Sequence, residues 1–186
     1  GDDSQGITDL QVQAGGCVMK IQVSEDNCFR VEADGMRKFQ GYVEGGTMEI
    51  RGTSKASSNS EGNLGGSIFL YVPEGYHFEN TSLDLGAGSL SVEELQAGTL
   101  EANVGAGQMT VEELSSRVAE VSVGMGSVRL TGDVTERLDG ECSMGELKLK
   151  LAGTQTDFNY DLSCGMGELK VGDDSYNGLA QEKQIN

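Results

Sequence analysis

The chain has 186 residues, 13 basic and 30 acidic, for a net charge of −17, and it holds 28 glycines against a single proline. With its basic residues thinly spread, such a chain lacks the cationic patch that nucleic acid or an anionic lipid surface would require. No apolar run approaches the roughly 20 residues of a membrane-spanning helix.

Glycine, serine, glutamine and proline together make up about 30% of the residues, the level at which a sequence without a period stays disordered. Folding therefore depends on whether the glycines recur at fixed intervals. The first residues, Gly1, Asp2, Asp3 and Ser4, carry no initiating methionine. That is the expectation for a processed product whose signal peptide or membrane anchor lies upstream. Two short alternating segments come next, Cys17 to Val23 and Cys28 to Ala33, separated by the turn-forming cluster Ser24, Glu25, Asp26, Asn27. Tyr42 to Ile50 and Ser67 to Val72 read as further strands. The stretch Thr53 to Gly66, rich in serine, asparagine and glycine, reads as a surface loop. No shift in composition separates residues 1–82 from the remainder of the chain, so they form irregular opening coils of a single domain.

From residue 83 the sequence repeats. Gly-x-Gly occurs at 86–88, 105–107, 124–126 and 165–167, with the variant Ser143-Met144-Gly145, so the second glycines step by 19, 19, 19 and 22 residues. Three residues before that glycine stand Leu85, Val104, Val123, Cys142 and Cys164; two after it stand Leu90, Met109, Val128, Leu147 and Leu169. The columns between are polar: Asp84, Asn103, Ser122, Glu141 and Ser163 on one flank, and Ser91, Thr110, Arg129, Lys148 and Lys170 on the other. Alternation of period two on both flanks predicts two half-buried strands per repeat.

A unit of 19 to 22 residues is too short to bury its own apolar side and must stack on its neighbours. The predicted fold is all-β: a single-stranded parallel β-solenoid, regular over residues 83–172, whose polar segment 173–186 is expected either to cover the last edge or to lead into a further coil beyond Asn186. The rival is a leucine-rich-repeat-like α/β solenoid, because Val111, Leu114, Val118 and Val121 fall near helical spacing. Gly98 and Gly132 in equivalent stretches weaken a helix and favour the all-β form. Within the turn, the residue between the glycines grows along the series Ala87, Ala106, Met125, Met144, Met166, and it is expected to fill the corner from inside.

The runs Leu-Tyr-Val-Pro-Glu-Gly-Tyr-His-Phe from Leu70, Leu-Asp-Leu-Gly-Ala-Gly from Leu83, Cys-Ser-Met-Gly-Glu-Leu from Cys142 and Tyr-Asp-Leu-Ser-Cys-Gly-Met-Gly-Glu-Leu from Tyr160 resemble the putative-adhesin β-strand-repeat family of bacterial cell-envelope proteins. The resemblance is strongest from Ser67 to Gly178. It implies a β-helix displayed outside the membrane and tethered by an N-terminal segment, and it brings no catalytic residues.

Candidate chemistry is sparse. There is no Cys-x-x-Cys, and His77 is the only histidine, too few for a Cys/His zinc set. Cys142 and Cys164 share an inward column, and Cys17 and Cys28 are placed on adjacent strands; for each pair both buried thiols and a disulfide stay open. Glu93, Glu94, Glu112 and Glu113 recur at matching positions and suggest calcium, but the expected reading is a solvated acidic edge, since calcium wants six to eight oxygens. Lys148, Lys170, Glu146 and Glu168 form a mixed-charge ladder. No metal, cofactor or catalytic residue is predicted. The expected role is non-catalytic display or binding outside the cytoplasm, at the cell surface or envelope, with a surface glycan or protein as partner. The alternatives are an envelope-associated sensor tethered by a membrane segment and, third, a polysaccharide-active enzyme, which the absence of tryptophan and the acidic surface disfavour.

Overall fold

The computed structural model describes residues 6–54, 65–152, 159–172, 174–177 and 183–185. Among them there is no α-helix. The protein is all-β, and its strands join one solenoid-like sheet.

The alternation read in the sequence becomes alternating burial. Strands β1 (Asp9–Gly15) and β2 (Cys17–Val23) turn Leu10, Val12, Ala14, Cys17, Met19 and Ile21 into the core. The turn after β2 forms where the Ser24–Asn27 cluster predicts it. The Ser24 hydroxyl donates to the Asp26 carboxylate at 2.6 Å, and Asn27 takes a φ of 58°. Strand β3 (Arg30–Asp34) starts two residues later than expected. The strand predicted over 42–50 is instead a hairpin of β4 (Met36–Glu44) and β5 (Thr47–Ser54), paired antiparallel. Alternation runs through this stretch without a break, but Gly45 and Gly46, at φ 59° and 83°, make the tight turn that alternation cannot show. Strand β6 (Ser67–Val72) matches its prediction. The expected surface loop lies mostly outside the described residues; its first two, Thr53 and Ser54, end β5.

The later strands are β7 (His77–Leu85), β8 (Gly88–Val92), β9 (Leu95–Val104), β10 (Gln108–Val123), β11 (Ser127–Cys142), β12 (Glu146–Leu151), β13 (Asn159–Cys164) and β14 (Glu168–Val171). They pair in parallel at the spacing of the repeat. Gln108 lies opposite Ser89 and Ser127, Ser127 opposite Glu146, and Glu146 opposite Glu168. The aligned column Leu85, Val104, Val123, Cys142, Cys164 is a continuous pairing line, buried throughout. Val111, Leu114, Val118 and Val121, the residues behind the helical rival, all belong to β10. Their register with β11 shifts between Val111 and Leu114 and again between Ser116 and Val118. These two bends advance the side-chain phase and imitate a helical period.

The order of the strands departs from chain order at the N-terminal end. β1 lies between β5 and β7, and β2 between β6 and β8. The chain thus begins inside the stack, builds the β5–β6 layer beyond itself, and returns across its first layer to reach β7. That outer layer is covered by antiparallel strands, β4 on β5 and β3 on β6. At the opposite end β15 (Asp174–Asn177) pairs antiparallel with β14, and β16 (Lys183–Ile185) with β13. Short antiparallel strands at both ends blunt the open edges that would otherwise template pairing with another chain.

The interior is one apolar cluster running the length of the stack. Two hydroxyls interrupt it: Thr81 and Ser116 are buried, and their oxygens have no hydrogen-bond partner. Ser116 sits opposite Ala97 and Val134, so Ser116→Ala removes an unsatisfied group without opening much space. It should raise stability by about 1 kcal/mol, read as a higher urea midpoint at unchanged slope.

The turns between layers correct one expectation. Met125, Met144 and Met166 are 69, 59 and 80% exposed, so the residue between the glycines points outward. Inward Val123 and inward Val128 are five residues apart, so the alternation slips within the turn and leaves Met125 on the outside.

Candidate functional site

An open cleft of about 800 Å³ lies at the N-terminal end of the stack. Its floor comes from β1 and the turn after β7, where Gly15 and Gly86 contribute no side chain, and its rim from β4 and β5. Pairing sets the polar residues of floor and rim against one another. Gln13 stands opposite both Arg51 and Asp84, Gln40 opposite Arg51, and Thr53 opposite both Gly15 and Lys38. Arg37, Lys38 and Arg51 all line this one cleft, which gathers three of the 13 basic residues of the chain.

Arg51 is held in place. Its guanidinium donates to the Glu49 carboxylate at 3.0 Å, and the Tyr42 hydroxyl donates to the same carboxylate. The Tyr42 hydrogen bond, followed by Arg51, lowers the Glu49 carboxyl from its ordinary range, and the same bond raises the Tyr42 phenol. Arg37 and Lys38 are exposed and form no ion pair among the described residues. Phe39 packs against the core cluster and anchors this segment of β4. An Arg fork beside a lysine, above amide and hydroxyl groups, suits a carboxylate, sulfate or phosphate carried on a polar scaffold. Sequence reading missed this site because its cations come from two strands. The signal was there in Arg37-Lys38, the one adjacent basic pair in the chain.

The other singled-out residues have different fates. Glu93 accepts the Val23 amide at 2.9 Å and Glu94 the Gly75 amide at 3.2 Å, so both carboxylates satisfy backbone donors. Glu112 and Glu113 are exposed. Among the described residues no group of three or more His, Cys, Asp or Glu is placed to hold a metal ion. His77 is an exposed residue opening β7. The charged ladder of the last layers stacks like on like, Glu146 opposite Glu168 and Lys148 opposite Lys170, with a lateral Lys148–Glu146 pair at 4.0 Å. Arg129 stands opposite Lys148 and extends the basic line. An acidic line, Glu101, Glu120, Asp139 and Asp161, runs along the other flank, with Arg137 bound to Glu120 at 3.2 Å and to Asp139 at 3.1 Å.

All four cysteines are free. Cys17 and Cys28 are not on adjacent strands: β6 separates β2 from β3, Cys17 is buried and Cys28 is exposed in the loop before β3. Cys142 and Cys164 face each other in register, both buried. Burial first, then the hydrogen bond with Cys164, pushes the Cys142 thiol up to about 12 from 9.0. Below pH 9 the thiol is protonated whether folded or unfolded, and its contribution to stability is complete. Between 9 and 12 the unfolded chain loses the proton while the folded chain keeps it, so stability falls as pH rises. Burial raises Cys17 and Tyr76 likewise, so the comparison is with Cys142→Val, which copies Val104 and Val123. The variant's urea midpoint should drop less than wild type's between pH 8 and pH 11.

An all-β protein with a solenoid-like sheet and a cationic cleft at one end is the class these features define. The pattern of the Toastrack family, DUF4097, matches residues 7–183, and the chain belongs to that family. No curated protein matches it. Among solved structures, a crystal structure of a putative adhesin from Bacteroides fragilis NCTC 9343 aligns over 89% of this chain and 92% of its own, at 18% identity and a TM-score of 0.41.

Proposed function

We propose that this chain is a non-catalytic binding protein displayed outside the cytoplasm at the cell envelope, and that the cleft between β4 and β1 binds an acidic glycan. Its frame is a single-stranded parallel β-solenoid with coils of 19 to 22 residues. The observation that carries the reading is the gathering of Arg37, Lys38 and Arg51 over a glycine-floored cleft in a chain of net charge −17. On so acidic a surface a cationic cluster opposes the overall field and selects an anion locally. Gln13, Gln40 and Thr53, which line the open cleft beside its cations, offer hydrogen-bond partners to sugar hydroxyls.

The test is a glycan array holding matched neutral, carboxylated and sulfated oligosaccharides, probed with the wild-type protein and with Arg37→Ala/Lys38→Ala. Selective binding of acidic members, weakened at least about tenfold by the double variant and by raised salt, is the expected result. Binding that ignores the double variant would remove the cleft from the account.

A further inference from the structure

We infer that the column Met125, Met144, Met166 is a thioether site for a soft monovalent cation of the Cu(I) class. This stands apart from the anion cleft, which lies at the other end of the stack. These methionines are 69, 59 and 80% exposed. Among the described residues the other exposed large hydrophobics are Tyr42 and Val43, at 38 and 39%. Every large hydrophobic side chain exposed beyond that level among the described residues is thus a methionine, and all three leave the same turn of successive layers.

The turns are in register. The Met125 amide donates to Gly105 O at 2.8 Å, the Met144 amide to Gly124 O at 2.8 Å and the Met166 amide to Ser143 O at 2.7 Å. Side chains leaving such a ladder start about 4.8 Å apart. Met144 stands one layer from each neighbour, and three rotatable bonds per side chain let the three sulfurs turn towards one point. The turn itself does not require a long side chain, because Ala87 and Ala106 occupy the same position in the two preceding layers.

Thioether sulfur is soft and uncharged, so it selects Cu(I) over calcium, magnesium or zinc, which prefer oxygen, imidazole or thiolate. The surroundings favour a cation. Glu146 and Glu168 stack two residues beyond Met144 and Met166, in a strongly negative chain. The thiols of the same turns are not co-ligands: Cys142 and Cys164 are buried, and the Cys142 Sγ contacts Gly145 O at 3.0 Å inside the turn.

The experiment uses the full chain carrying Cys28→Ser, which removes the exposed thiol, with methionine methyl groups labelled with carbon-13. Ag(I), a redox-inert stand-in for Cu(I), is titrated by NMR. The methyl signals of Met125, Met144 and Met166 should shift together and saturate near one equivalent, while those of Met19, Met36, Met48 and Met109 stay in place. Ca(II) and Zn(II) should move none of the three. Met144→Leu keeps the apolar area and removes the sulfur, so it should weaken Ag(I) binding at least about tenfold. Shifts absent at stoichiometric Ag(I), binding confined to the buried thiols, or binding unchanged in the triple leucine variant would each overturn the inference. In the last case the ion would be held by other donors and not by the ladder.

Discussion

Gly126→Ala should destabilise the protein by about 3 kcal/mol or more, whereas Gly124→Ser, two residues earlier in the same turn, should cost about 1 kcal/mol or less. A β-carbon on Gly126 would stand 1.9 Å from Gly107 O and 2.8 Å from Gly107 N. Both are backbone atoms of the layer beneath, and Gly107 O already accepts the Ser127 amide at 2.9 Å, so relief would mean breaking the ladder. The same holds along the column: Gly145 would meet Gly126 O at 2.0 Å and Gly167 would meet Gly145 O at 1.9 Å. At the first glycine the approach is looser, 2.9 Å from Gly124 to Gly105 O, and the chain itself places Ser143 at that position. Neither glycine of this turn has a positive φ. The requirement is close backbone approach, not left-handed conformation, and the contrast between the variants tests that distinction. Urea unfolding followed by circular dichroism provides the comparison, and equal losses at the two positions would contradict it.

The periodic part of the fold was open to sequence reading. Paired columns such as Leu85–Val104–Val123 record their spacing in residue type, because each position meets the same environment one layer on. Positions that depend on a single long-range event carry no such record. Leu10 pairs with Thr81 in β7 and with Met48 in β5, and nothing in its own segment says which partner precedes it. The Gly45-Gly46 turn was hidden by alternation that continues through it, and the outward methionines by alternation that does not. The cleft was harder still, because Arg37 and Arg51 become neighbours only when β4 folds back on β5. What the sequence signalled there was a local anomaly of charge, the Arg37-Lys38 pair, whose meaning depended on the hairpin.

Phe78→Ala should cost about 3 to 5 kcal/mol, a large share of the roughly 5 to 15 kcal/mol typical of a folded domain. Phe78 is 1% exposed and heads the largest fully buried side chains. Its ring lies 5.0 Å from that of Tyr76 and 6.3 Å from that of Phe29, with Phe29 and Tyr76 edge to face at 4.8 Å. The three rings join the loop leaving β2 to the passage from β6 into β7, where the chain crosses its own first layer. The crossing is pinned by backbone as well: the Glu79 amide donates to Thr8 O at 2.6 Å, and the Tyr76 hydroxyl donates to Ile7 O. Emptying this corner should therefore loosen the threaded layer before the regular ones, since each layer contacts mainly its neighbours. Amide exchange in Phe78→Ala should speed up in β1, β2, β5 and β6 while β10 to β12 keep their protection. Phe78→Leu, which refills most of the space, should recover the greater part of the loss. Uniform loss of protection along the whole stack would instead show that the threaded layer and the regular repeats unfold as one unit.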